Sequence, residues 1–223
     1  MARVFQNLNF ENENKVKSSL KALADKNTNV DDYRHAFYLL GVCLGELLKK
    51  EGKVSENNCH LVCASEDADW LAQGVLEGAS IMGADLSVYW SSRHVISTTP
   101  KIEITPITRE YNSKLEPRDF LIVVKSIIST SCVVKTQISH IFENISPKHV
   151  YVIAPVMFKD AENSLKNEFP QNISDLFKFY TFAIDSDSDE NGVISPGVGG
   201  MVYPRLGVDK NTYIPSIIRM RMG

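Results

Sequence analysis

Cysteine is scarce in this chain, with only Cys43, Cys59, Cys63 and Cys132, and none of them forms a CxxC pair. On a strand Cys59 and Cys63 would face the same side about 13 Å apart. That separation excludes a disulfide or a shared metal ion between them. Free thiols in a reducing compartment are expected, hence a cytoplasmic protein. The five histidines, His35, His60, His94, His140 and His149, have no metal-ligand spacing, so no metal site is expected. No apolar run approaches the roughly 20 residues of a membrane span. The opening residues Met1 to Asn7 lack the apolar core of a secretion signal. Excess positive charge is also missing: 24 Lys+Arg against 27 Asp+Glu leave a net charge of −3, which argues against a nucleic-acid partner. No nucleophile elbow, Walker loop, dinucleotide fingerprint or internal repeat is visible.

What is present fits a single domain spanning residues 1–223. At this length a chain buries roughly 70% of its unfolded surface and needs no covalent staple. Residues 1–52 read as N-terminal helices. Val16, Leu20 and Leu23 mark a first helix. Asp31 and Asp32 suit the positive end of a second, in which Ala36, Leu39, Leu40, Cys43, Leu44, Leu47 and Leu48 form a buried stripe to about Lys50.

Residues 58–207 alternate between strand and helix. Strands are expected at 60–64, 86–90, 120–124, 150–154 and 179–184. Helices are expected at 70–81, 133–144 and 161–168. The run Phe120-Leu121-Ile122-Val123-Val124 is apolar throughout, as in a parallel strand covered on both faces. The pattern predicts an α/β fold with a parallel sheet flanked by helices. Residues 91–118 interrupt it as a hairpin excursion, and 208–223 form a C-terminal extension. Arg219 and Arg221 fit a solvated helix end.

In open parallel α/β sheets, ligands bind beyond the carboxyl ends of the strands. Here the strand ending at Val124 runs into Lys125-Ser126-Ile127-Ile128-Ser129-Thr130-Ser131-Cys132-Val133 and then a helix. Backbone N–H groups and the hydroxyls of Ser129, Thr130 and Ser131 could hold an anion. They could equally cap the helix.

The frame of this segment resembles class I phosphoribosyltransferases, where an apolar strand leads through an acidic pair into a Thr-Gly-Gly-Thr-like phosphate loop. Three further stretches resemble the uracil phosphoribosyltransferases in the same order. They are Asp25-Lys26-Asn27-Thr28 with Tyr33-Arg34, Gln73-Gly74-Val75-Leu76-Glu77, and Ile184-Asp185 followed by Glu190-Asn191-Gly192-Val193-Ile194-Ser195-Pro196-Gly197-Val198-Gly199. The resemblance covers about residues 20–207. It implies a phosphoribosyltransferase-like fold and a homodimer. It also implies a small-molecule ligand: uracil, UMP, phosphoribosyl pyrophosphate or phosphate. Ser129, Thr130, Ser131 and Cys132 would hold the phosphate. Ile194, Pro196, Gly197 and Gly199 would face the nucleobase. Arg93 would belong to an active-site flap or a dimer arm.

At seven positions the chain departs from that family. Lys125 replaces the acid that accepts from the ribose hydroxyls, and an ammonium has no acceptor. Ser126 supplies no charge beside it. Glu66 replaces the pyrophosphate-binding Arg; against a phosphate about 4 Å away it costs on the order of 4 kcal/mol at an effective dielectric of 20. Ala24 replaces a second Arg. Ser131 and Cys132 stand where glycines would allow close approach, and Gly200 replaces a terminal Asp.

The expectation is a catalytically weakened or inactive relative that still binds a pyrimidine base, nucleotide or phosphate. One alternative is an active enzyme forming UMP, with Mg²⁺ as cofactor and Asp67 or Asp69 serving it. Another is a structural subunit with a vestigial pocket. Lys125 at a strand end could also simply extend to solvent.

Overall fold

The computed structural model describes residues 3–92, 94–98, 101–189 and 193–222. A short strand β1 (Arg3–Phe5) precedes helix α1 (Glu13–Ala24), which buries Val16, Leu20 and Leu23 as expected. Helix α2 (Val30–Lys50) starts at Asn29, whose side chain accepts from Asp32 N–H; Asp31 and Asp32 occupy its first turn. Strand β2 (Cys59–Ala64) is buried along its whole length.

The segment read as one helix over 70–81 begins earlier and is broken. It consists of a turn α3 (Ser65–Asp67), a π-helical stretch (Ala68–Ala72) and α4 (Gln73–Gly78). The break accompanies very close packing on α2. A Cβ on Gly41 would collide with the Leu71 carbonyl, and one on Gly78 with that of Val42. Backbones can meet at such a distance only where both faces carry glycine.

Strand β3 (Asp85–Ser91) leads into a separate antiparallel pair, β4 (His94–Thr98) and β5 (Lys101–Ile104). Then β6 (Ile107–Asn112) returns antiparallel to β3, so the excursion is a hairpin arm on the sheet edge. Arg93, assigned to this arm, lies outside the described residues.

Strand β7 (Phe120–Val124) is followed by the two-residue β8 (Ile127–Ile128) and helix α5 (Cys132–Ile141). Next come β9 (His149–Ile153), β10 (Val156–Phe158) and two short helices, α6 (Ala161–Lys166) and α7 (Gln171–Ser174). The strand expected at 179–184 is two strands, β11 (Phe177–Tyr180) and β12 (Ala183–Asp185). The chain ends through β13 (Asp187–Ser188), β14 (Ile194–Ser195), α8 (Val202–Arg205) and α9 (Ser216–Met222).

Among the described residues the main sheet has the order β11-β9-β7-β2-β3-β6. All neighbours are parallel except β3–β6. A second sheet, β1-β12-β10-β8, continues from it. Strands β7, β9 and β11 each break for two residues and resume as β8, β10 and β12. These pair in parallel, with β1 antiparallel at the edge. The break after β7 is Lys125-Ser126. Apolar cores cover both faces of the main sheet: Leu61, Ile122 and Ile153 point to the α1, α2 and α4 side, while Val62, Val123 and Val152 point to the α5 side. This is an α/β fold with a parallel sheet flanked by helices, and its polar break sits where the two sheets part.

Candidate functional site

Because the β7 chain leaves one sheet at Val124 and joins another at Ile127, Lys125 and Ser126 project between the two layers. Lys125 is only 7% exposed. Its Nζ donates to Asp67 Oδ2 at 2.7 Å, to Ser126 Oγ at 2.9 Å and to Glu66 Oε1 at 3.1 Å. The other Asp67 oxygen accepts from Ser126 N–H at 3.0 Å. Lys125 therefore does not extend to solvent as a strand-end lysine would. It closes a buried cluster, and all three of its donors are used.

Burial opposes the Lys125 ammonium, but Asp67 and Glu66 outweigh it and hold its pKa above the ordinary lysine range. Burial pushes the Asp67 carboxyl up against the pull of Lys125. For Glu66 burial acts upward too, yet Lys125 and the hydrogen bonds to the carboxylate keep it below the usual range. With both carboxylates ionised, the cluster carries one cation against two anions.

The cluster forms one wall of a cavity of about 290 Å³. Glu66, Lys125, Ser126 and Ser129 supply its polar side; Ile127, Ile194, Val198 and Val202 supply its apolar side. Tyr203 closes one end, its hydroxyl 2.6 Å from Ser65 Oγ. Of the residues assigned to the phosphate, only Ser129 lines this cavity. The hydroxyls do not cap α5 either: Ser131 is its N-cap residue without a side-chain capping bond, and its Oγ donates to Glu168 Oε1 at 3.0 Å. Cys132 Sγ lies 2.7 Å from Thr105 Oγ1, so it faces the end of the hairpin arm.

Of the nucleobase residues, Ile194 lines the cavity, whereas Pro196, Gly197 and Gly199 belong to the adjoining loop and do not line it. Gly197 (φ +54°) and Gly199 (φ +75°) adopt the left-handed conformation that glycine permits. Gly197 N–H donates to the buried Asp185 Oδ2 at 2.9 Å, and Arg3 clasps the same carboxylate with two bonds of 2.7 Å. Tyr33 Oη donates to Val198 O at 2.8 Å. Arg34 donates to Leu206 O through both Nε and Nη2. The N-terminal Tyr33-Arg34 pair thus secures the C-terminal loop. Ala24, set where an Arg was expected, ends α1 beneath this loop: a Cβ on Gly199 would lie 3.4 Å from the Ala24 carbonyl oxygen. Glu190, Asn191 and Gly192 lie outside the described residues.

The reading of Asp67 or Asp69 as Mg²⁺ ligands is corrected. A lysine ammonium stands between Asp67 and Glu66. Asp69 accepts from Tyr213 Oη at 2.7 Å, Ser216 N–H at 2.8 Å and Ile217 N–H at 2.9 Å, which ties down α9. These carboxylates do not fit a resident divalent cation, whose hard oxygen ligands must be free of a competing cation. Of the two arginines expected at a solvated end of α9, Arg219 is exposed, but Arg221 donates to the carbonyls of Ala84 at 2.6 Å and Met82 at 2.8 Å. Val193, Met201, Val202 and Tyr203 were not foreseen as cavity residues. Their only sequence signal is position on either side of the Gly-rich stretch.

No family model and no curated protein sequence matches this chain. Solved structures do. A protein of Aquifex aeolicus, AQ2163, shares 14% identity at a TM-score of 0.73, over 91% of this chain and 97% of its own. A hypothetical Neisseria gonorrhoeae protein with bound ppGpp aligns at a TM-score of 0.45 and 12% identity, covering 71% of this chain and 82% of its own. L. donovani hypoxanthine-guanine phosphoribosyl transferase aligns at a TM-score of 0.40 and 10% identity, covering 70% and 84%. The α/β fold is thus shared with the Aquifex protein along nearly the whole of both chains.

Proposed function

We propose that this chain is a phosphoribosyltransferase-like protein whose cleft binds a small, uncharged planar ligand, a pyrimidine base or its nucleoside, and does not turn over phosphoribosyl pyrophosphate. The observation that carries this reading is the saturation of Lys125. A cation at the cleft wall would ordinarily attract a phosphate, but its three N–H groups are all spent on Asp67, Glu66 and Ser126. The cluster's excess carboxylate opposes a polyanion and favours a ligand with N–H donors. The apolar half of the cavity suits the faces of a base. The four motif stretches in family order support a base-sized ligand, and the departures at Ala24, Glu66, Lys125 and Ser126 support loss of the transfer reaction. A homodimer assembled through the hairpin arm accords with Val95 and Ile96, which are 54% and 63% exposed there.

The test is purified protein with labelled uracil, phosphoribosyl pyrophosphate and Mg²⁺. No UMP above blank is expected; turnover near 1 s⁻¹ or faster, the range of ordinary enzymes, overturns the reading. Calorimetry with uracil and uridine should give saturable heat. No binding at millimolar ligand would leave a structural subunit with a vestigial pocket.

A further inference from the structure

Helices α1 and α2 pack side by side, and beside the loop 25–29 that joins them they leave a groove of about 410 Å³. None of its lining residues lines the Lys125 cleft. Ala22 of α1 with Ala36 and Leu39 of α2 supply an apolar lining. Asp25 and Asp32 supply charge, and no lysine or arginine lines the groove. The loop itself orients both carboxylates. Asp25 Oδ1 accepts from Asn27 N–H at 2.9 Å, and Asp32 Oδ2 accepts from the Asn29 amide at 2.7 Å. The other oxygen of each makes no bond with any described residue, and neither carboxylate is in an ion pair. The adjacent Asp31 is instead 3.4 Å from Arg34. The start of α2 adds only about half a positive charge, so the groove stays anionic.

Ser19 points the same way. It is 4% exposed and lines the groove, yet its hydroxyl makes no hydrogen bond with any described residue. Buried hydroxyls are ordinarily paired, and a serine inside a helix commonly bonds a carbonyl on the preceding turn. The neighbouring Ser18 does so, its Oγ donating to Lys15 O at 3.0 Å. Ser19 keeps its oxygen for an occupant of the groove.

From this we infer that the groove between α1 and α2 binds an organic cation, an aliphatic amine in its ammonium form. An ammonium has N–H donors and no acceptor, and the open oxygens of Asp25, Asp32 and Ser19 are acceptors. The methylenes of such a ligand lie against Ala22, Ala36 and Leu39. A bare metal ion suits the groove less well. Among the described residues no three His, Cys, Asp or Glu side chains converge as ligands, and a hard divalent cation takes about six to eight oxygens. This site does not depend on what the Lys125 cleft binds.

The experiment is titration calorimetry with 1,4-diaminobutane, and with 1,4-butanediol as its uncharged counterpart, on the wild type, Asp25→Asn, Asp32→Asn and Ser19→Ala. Saturable binding of the diamine is expected, and none of the diol at the same concentration. Each asparagine variant should weaken the diamine about fivefold or more, since it removes one charge at close range in a solvent-exposed site. Ser19→Ala should weaken it about fivefold or more by removing a buried acceptor. Both aspartates are exposed, and thermal melting identifies any variant that fails to fold. The second readout needs no variant: the ring resonances of His35, which lines the groove. They should shift on adding the diamine and stay put in potassium chloride of equal ionic strength. No saturable heat at millimolar diamine, equal binding of the diol, unmoved His35 resonances, or affinity unchanged in all three variants overturns the proposal.

Discussion

Lys125 Nζ lies 2.7 Å from Asp67 Oδ2, joining the break after β7 to the first turn after β2 across 58 positions of sequence. Asp67 is 1% exposed, so neither partner can turn to water. Removing the cation alone would leave Asp67 and Glu66 buried and facing one another. Lys125→Met should therefore cost about 3–5 kcal/mol of stability, the range for breaking a buried ion pair from one side. Adding Asp67→Asn and Glu66→Gln to it should recover much of that loss. Urea denaturation of the single and triple variants checks both statements. A single variant as stable as the wild type would show that the cluster is not a structural element.

The cluster also bonds Lys125 to Glu66, the two positions at which the resemblance to uracil phosphoribosyltransferases would place charges of the opposite sign. An acid at 125 facing an arginine at 66 would be a pair of the opposite polarity, with the arginine left free to meet a phosphate. Exchanging the two through Lys125→Asp with Glu66→Arg should tighten phosphoribosyl pyrophosphate at least about tenfold over the wild type, by calorimetry. No change would mean that these two positions do not correspond to the family's ribose and pyrophosphate contacts.

This coupling was only half legible in the sequence. The apolar runs of β2, β7 and β9 and the buried stripe of α2 were readable because periodicity reports burial directly. The signs at Lys125 and Glu66 were readable as anomalies. Their mutual bond was not, because it depends on where β7 leaves the main sheet. The two-sheet break that divides 177–185 into β11 and β12 leaves no periodic trace; its strands are three or four residues long. The β1 strand, which supplies Arg3 to the loop at Gly197, was invisible for the same reason. Tyr203, which closes one end of the cavity, carries no motif at all.

Packing between α2 and α4 makes a sharper prediction than composition could. Gly41 and Gly45 of α2 face Gly74 and Gly78, each with a neighbouring backbone where a Cβ would sit. Alanine is ordinarily the better helix former by about 1 kcal/mol. Here that preference should be reversed: Gly41→Ala should destabilise by about 1–3 kcal/mol or more through overpacking. Thermal or urea denaturation reads the sign, and a gain in stability would refute the close approach of the two helices.

The loop at Gly197 hangs on Asp185, which is fully buried and receives both the Arg3 guanidinium and Gly197 N–H. Asp185→Asn keeps the shape but loses the charge and one acceptor, leaving Arg3 without a counter-ion. A stability loss of about 3–5 kcal/mol is expected. Uracil or uridine binding in calorimetry should weaken with it, because Gly197 and Val198 would no longer be held. Stability that falls with unchanged ligand affinity would separate the loop from the ligand.

His60 supplies the pH dependence. It is fully buried in β2, with Nε2 2.7 Å from Ser87 Oγ. Burial pushes its pKa down from 6.5 to about 4; Asp85 resists, and Arg118 and Arg221 add to the fall. A base whose folded pKa lies below its unfolded value binds fewer protons when folded, so acid favours the unfolded chain. The stability is therefore fully present above about pH 6.5 and drains away as pH falls toward 4. The displacement corresponds to roughly 3 kcal/mol across that window. Urea titrations at intervals from pH 7.5 to 4 should show this slope in the wild type. His60→Gln, with no proton to gain, should be less stable at neutral pH and distinctly flatter below it. Equal slopes in the two proteins would mean that His60 is already charged, or already solvated, in the folded state.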